Sequence, residues 1–177
     1  MLKKVMLVVA AAIGVFLIYV AMQPSEFMVA RETVIAASPE AIFPHVNNSR
    51  KANDWMPWKD SDPGAVMQYS GPDEGVGSTS SWDSSGKMGK GQAVVAESIP
   101  GKSVKTQLTY WKPMEMSQVA EISLSPAASG TTVRWTVSGR NSFVGRIFCT
   151  FMNMDKMVGG EFEKGLARLK QTVESRS

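Results

Sequence analysis

Residues 143–174 read FVGRIFCTFMNMDKMVGGEFEKGLARLKQTVE, and they decide the fold. Phe148, Phe151, Met152, Val158, Phe162, Leu166, Leu169 and Val173 recur in steps of three and four. At helical spacing they form one apolar stripe about 120° wide. The spacing predicts one long helix, or one broken once. So wide an apolar face must lie against something large, and the only available partner is a sheet built from the middle of the chain. A sheet wrapped around one terminal helix commonly leaves a pocket between them.

Working back from residue 143, strands are predicted near 65–70, 76–83, 89–99, 102–111, 114–125 and 130–139. The segments between them carry hairpin chemistry: Gly71-Pro72-Asp73-Glu74-Gly75, Ser84-Ser85-Gly86-Lys87, Pro100-Gly101, Lys112-Pro113 and Ala128-Ser129-Gly130. Connections this short force antiparallel neighbours. Val133, Trp135 and Val137 share one face, as do Val104, Thr106, Leu108 and Tyr110, and Ala120, Ile122 and Leu124. Such strands have one covered and one wet face. Farther back, Glu26 to Ile35 alternates as a strand, with Phe27, Val29, Glu32 or Arg31, and Val34 as its apolar-side candidates. Ser38-Pro39-Glu40 then starts a short helix, with Ser38 as cap and Pro39 in the first turn. A second short helix covers Asn48 to Trp55. The order is strand, two small helices, six antiparallel strands and a terminal helix, an α+β pattern of a curved sheet gripping a helix.

The amino terminus is a separate element. Val5 to Met22 carries no charge and would span roughly 27 Å as a helix, enough for a thin hydrocarbon core. A cleaved signal peptide would need small residues before its cleavage point, and Tyr19-Val20-Ala21 places a tyrosine there. The run is also longer than the usual signal core, so a retained anchor is the reading preferred. Lys3 and Lys4 precede the span and Glu26 is the first charge after it. The positive-inside rule then puts the domain on the far side of the membrane. The expected organisation is an anchor over residues 1–23 and one domain over residues 24–177. The expected location is the inner membrane, single-pass, with the domain on the periplasmic side.

At this point the chain resembles a known family. The Gln23-Pro24-Ser25-Glu26-Phe27 junction, Ser38-Pro39-Glu40-Ala41-Ile42-Phe43, Trp55-Met56-Pro57-Trp58, Tyr69-Ser70-Gly71-Pro72 and the run from Met154 to Leu166 carry the likeness. They resemble the START and SRPBCC superfamily, whose helix-grip fold is shared with the major birch-pollen allergen. Within it, the chain is similar to membrane-anchored bacterial proteins named polyketide cyclase/dehydrase. The resemblance implies a seven-stranded antiparallel sheet curved around a long C-terminal helix. The superfamily includes lipid carriers, hormone receptors, cyclases and co-chaperones, so it implies no catalytic set.

The charge balance excludes one class of partner. The formal net charge is +3, and the excess largely disappears once Lys3 and Lys4 are set aside. Basic residues form no stripe with interleaved aromatics, so no nucleic-acid partner is expected. His45 is the sole histidine and Cys149 the sole cysteine, which rules out an internal disulfide and leaves no zinc ligand set. Gly75-Val76-Gly77 and the glycine-rich run from Gly86 to Gly91 do not open a helix after a strand, so no phosphate loop and no cofactor are expected.

Three oddities remain. Asp155 falls near the centre of the apolar stripe on a continuous helix. It is either a polar anchor in a cavity or a sign that the helix breaks near Asn153, with Asn153 or Asp155 as cap. Gly159-Gly160 marks either close packing on the sheet or room for a ligand. Twelve methionines and five tryptophans either line a soft cavity or fill it. The cavity candidates are Trp82, Gln92, Tyr110, Gln118, Trp135, Met152, Asp155 and Gly159, with Glu97, Trp111, Met114, Met116, Met154 and Met157 beside them. Trp55 and Trp58 are candidates for a rim or membrane contact.

Three functions follow as expectations. The first is a membrane-tethered domain, held by residues 5–22, that binds a hydrophobic small molecule or lipid. The second is an interaction module for another envelope protein. The third is a cyclase- or dehydrase-like enzyme using acid–base chemistry in the cavity.

Overall fold

The computed structural model describes residues 1–175. Its elements follow the order α1 (Leu2–Met22), β1 (Glu26–Ile35), α2 (Pro39–Asn47), α3 (Ser49–Trp55), α4 (Trp58–Ser61), β2 (Val66–Ser70), β3 (Thr79–Asp83), β4 (Lys90–Ile99), β5 (Ser103–Lys112), β6 (Met116–Ala127), β7 (Gly130–Arg140), α5 (Phe143–Phe151) and α6 (Met154–Glu174). The seven strands form one antiparallel sheet in the order β1-β7-β6-β5-β4-β3-β2. It is the helix-grip architecture, with a long C-terminal helix over the sheet and an apolar helix at the amino terminus.

Register explains which side chains point inward. Val29, Val137 and Ala120 are paired neighbours across three strands, and Arg31, Trp135 and Ile122 form the next inner row. Strand β7 shows the alternation most cleanly: Thr131, Val133, Trp135 and Val137 are buried, with more accessible residues between them. In β1 the inner row is Phe27, Val29, Arg31, Thr33 and Ile35. Val34, expected on the apolar side, is 38% exposed while Ile35 is fully buried. The two-residue period admits no other outcome once Val29 faces in.

The terminal segment breaks once. Helix α5 ends at Phe151, and Asn153 caps α6 by accepting a hydrogen bond from the Lys156 amide at 2.9 Å. The break divides the expected stripe. Phe162, Leu166, Leu169 and Val173 are buried in the core, whereas Phe148, Phe151 and Met152 are exposed. Around α6 the interior is solid. Trp135 stacks on Phe162 with centroids 4.0 Å apart, and Trp55 and Trp58 meet Trp135 edge-on at 5.3 and 6.2 Å. Gly165 makes this approach feasible, because a Cβ there would lie 2.8 Å from Trp135 Cζ3.

The small helices are tied to the sheet by polar contacts. The Ser98 hydroxyl donates to Asn47 Oδ1 at 2.7 Å. Asp62, just after α4, accepts from the Ser84 hydroxyl and the Met88 amide at 2.7 and 2.9 Å. The glycine-rich run after β3 thus serves to hold a carboxylate of its own chain.

Candidate functional site

The inner face of the sheet has two halves. Helix α6 packs chiefly against β1, with further contacts to β7, α2 and α3, and the aromatic stack fills the space beneath it. On β5 and β6 the inner residues Thr106, Leu108, Tyr110, Met116, Gln118 and Ala120 are only half-buried. They face inward by register, Leu108 opposite Gln118 and Tyr110 opposite Met116. Trp82 closes one side, its ring 5.5 Å from that of Tyr110 and its indole nitrogen donating to Met88 O at 3.1 Å. This stretch of the inner face is apolar apart from Thr106, Tyr110 and Gln118. Burial pushes the Tyr110 phenol up. The Gln118 amide donates to Met116 Sδ at 3.1 Å, a weak acceptor that a better one would displace.

Next to it, at the strand ends, lies a groove of about 560 Å³. Met114, Met116, Gln118 and Arg140 line it together with Asn141 and Gly145, while Gln107, Val119 and Ser138 carry it onto the outer face. The backbone N–H of Asn141 donates to Ser25 O at 2.7 Å, so the groove opens beside the exit of α1.

Of the eight cavity candidates, the register brings Trp82, Tyr110 and Gln118 to this stretch of the inner face. The others lie elsewhere. Gln92 pairs with Ser81 and Thr109, the residues adjacent to Trp82 and Tyr110, so it faces outward. Glu97 is bound to Lys105 at 3.0 Å. Trp135 packs the core. Met152 is exposed, as are Trp111, Met114 and Met157. The rim expectation fails for Trp55, which is 1% exposed and donates its indole N–H to His45 O at 3.0 Å. Trp58 is half-buried against the same core.

Asp155 and Gly159 belong to a different device, whose centre is Arg31. Arg31 Nε donates to Glu163 Oε1 at 2.7 Å, and Nη1 and Nη2 each donate to an Asp155 carboxylate oxygen at 3.0 Å. The remaining donors reach Ala30 O at 2.8 Å and Asp155 O at 3.1 Å. All five guanidinium hydrogens are spoken for, a fork bound on both sides. Residues 155, 159 and 163 lie one turn apart on one helix face. Gly159 is the gap through which the guanidinium passes, since a Cβ there would collide with it. The signal for this clamp was present in the sequence as two carboxylates flanking a glycine at spacing four. Arg31 carries no such signal, because a lone arginine in a strand does not announce which helix it will meet.

The clamp has a pH signature. Arg31 holds the Asp155 carboxyl below its ordinary value of 3.8, so the folded state favours the ionised form. The stabilisation is therefore complete above that value and is lost as pH falls through the lowered one. We expect Asp155→Asn to lower Tm at pH 7 modestly, since the pair is partly exposed. The gap from wild type should close as acid titrates the group, which a pH series of thermal melts checks. A constant gap would show that the carboxylate charge is not what matters.

Comparison with known proteins agrees with this architecture. The family model described as "Polyketide cyclase / dehydrase and lipid transport" matches residues 26–174. No curated protein matches the sequence. Among solved structures, a protein from Chromobacterium violaceum is 18% identical, with 86% of this chain and 99% of that one covered at a TM-score of 0.57. The Aha1 dimer from Colwellia psychrerythraea is 22% identical, with 84% and 96% covered at 0.58. The di-domain ARO/CYC StfQ of the steffimycin biosynthetic pathway is 10% identical, with 85% and 51% covered at 0.58. At these identities the likeness establishes a shared fold.

Proposed function

The chain belongs to the polyketide cyclase/dehydrase and lipid transport family, and from that premise we propose that it is a membrane-tethered binding domain for a hydrophobic small molecule or lipid. One observation carries the proposal: Leu108, Tyr110, Met116 and Gln118 on the inner face of β5 and β6 stay half-buried, while Trp135, Phe162, Leu166 and Leu169 under α6 are buried in the core. Apolar surface that points inward yet remains accessible is what an apolar guest would cover. Gln118 and Tyr110 would orient that guest through a carbonyl or hydroxyl. The Leu2–Met22 helix is long and apolar enough to cross a membrane, and only 6% of its most apolar stretch is buried in the protein. It would hold the domain at the bilayer, single-pass, on the extracytoplasmic side. The adjacent groove would give a lipid-borne molecule a short path inward.

The acid–base reading loses its main candidate. A general acid at neutral pH needs a raised carboxyl pKa, and Arg31 drives that of Asp155 down. Trp55 lies in the core and offers no surface to a protein partner.

Native mass spectrometry of the full chain, extracted in mild detergent, tests the proposal. We expect a retained adduct of lipid or polycyclic mass. A ligand-free protein whose Tm is unmoved by phospholipids, isoprenoid quinones and aromatic polyketides would refute it.

A further inference from the structure

Helix α5 has an apolar face that the protein does not cover. Phe143, Val144, Phe148 and Phe151 are 40%, 50%, 56% and 74% exposed, and Met152 beyond them is 44% exposed. From Asn141 to Met154 the only charged residue is Arg146. A face of this composition on a water-exposed helix is unfavourable, and neither the sheet nor α6 accounts for it.

Its contacts with α1 say where the face lies. The backbone N–H of Asn141 donates to Ser25 O at 2.7 Å. Arg146 Nη1 donates to Ala21 O and Gln23 O at 3.0 and 3.1 Å. The Phe151 ring meets that of Phe16 at 5.7 Å. As the chain advances through α5, its partner positions retreat through α1, so the two helices run antiparallel. Phe16 lies six residues before the end of α1, or about 9 Å along its axis. Phe151 is therefore level with the interior of the span, and Arg146 is level with its exit.

We propose that α5 dips alongside α1 into the membrane leaflet from which α1 emerges, its C-terminal end the deeper, with its exposed face covered by lipid. This rests on the tether reading above. The contact with Phe16 places Phe151 about 9 Å below the exit of α1, comparable to the ~5–10 Å to which apolar faces sink at the boundary between headgroups and acyl chains. The guanidinium of Arg146 lies at headgroup level, where it also satisfies carbonyls left open by the last turn of α1. The occupant is the bilayer, because the face is continuous with the flank of the spanning helix. A lipid-embedded α5 would also put the mouth of the groove, which Asn141 and Gly145 help to line, at the membrane surface.

The test uses the full chain in phosphatidylcholine and phosphatidylglycerol vesicles. Cys149→Ser removes the native thiol. Single cysteines then carry an environment-sensitive fluorophore at Phe148→Cys, Phe151→Cys, Ile13→Cys within the span and Ser129→Cys in the β6–β7 hairpin. Lipids bearing a nitroxide high on the acyl chain act as quencher. We expect positions 148, 151 and 13 to lose most of their emission and position 129 to keep it. If 13 is quenched while 148 and 151 behave like 129, the tether stands and the immersion of α5 is wrong. If 13 is unquenched, the tether fails and this proposal falls with it.

Discussion

Replacing Trp135 with alanine should cost about 3–5 kcal/mol of stability, the range for removing a large aromatic side chain from a packed core. Trp135 is 3% exposed and is the shared member of three aromatic contacts, with Phe162, Trp55 and Trp58. Its loss would open a cavity where β7, α6 and the α3–α4 corner meet. Those elements are rigid enough to collapse only partly around it. Against a domain stability of roughly 5–15 kcal/mol, such a loss leaves a substantially unfolded population. The check is the denaturant midpoint of full-length protein in detergent, read by circular dichroism. Trp135→Phe keeps a ring against Phe162 and should lose less than half as much. Equal losses would mean that ring stacking is irrelevant and the indole volume alone counts.

The second large effect concerns binding. Leu108→Arg should abolish capture of an apolar ligand, with a loss of at least about 3 kcal/mol, or roughly a hundredfold in Kd. Leu108 sits opposite Gln118 in the half-buried row. A guest seated there would have to desolvate the guanidinium with no carboxylate to receive it. The half-open position lets the unliganded variant extend its charge to water, so its Tm should change little. That separation of folding from binding makes the substitution informative. Unchanged ligand retention in native mass spectra would move the site away from the inner face. A collapse of Tm would show that this part of the inner face is closed in solution.

The Arg31 clamp and the aromatic stack account for how the domain can remain partly open. One half of the inner face is sealed by Trp135, Phe162, Leu166 and Leu169, and the start of α6 is fixed to β1 by a fully bonded guanidinium. With α6 held over β1, the inner surface of β5 and β6 is left less completely covered. The same break at Asn153 that sets the course of α6 frees α5 to lie along α1. A continuous helix could not serve both surfaces.

The sequence by itself determined the order of the strands and main helices, the antiparallel sheet, the shared faces of β5, β6 and β7 and the apolar amino-terminal helix, and it offered a break near Asn153 as one of two readings of Asp155. Each of these depends on local periodicity, capping or turn chemistry, which act over a few residues. What it could not determine is which of two apolar faces finds which partner. The stripe from Phe148 to Val173 reads as one surface, yet its first part meets α1 and open surroundings while its second meets the sheet. Asp155 reads as a misplaced carboxylate until Arg31 arrives from 124 positions away. Trp55 reads as a rim residue until α6 and β7 close over it. Gln92 points outward because its strand pairs by a register that single-chain spacing does not specify. Those outcomes depend on contacts between residues distant in sequence. Burial and charge pairing were therefore decided only when the tertiary structure brought them together.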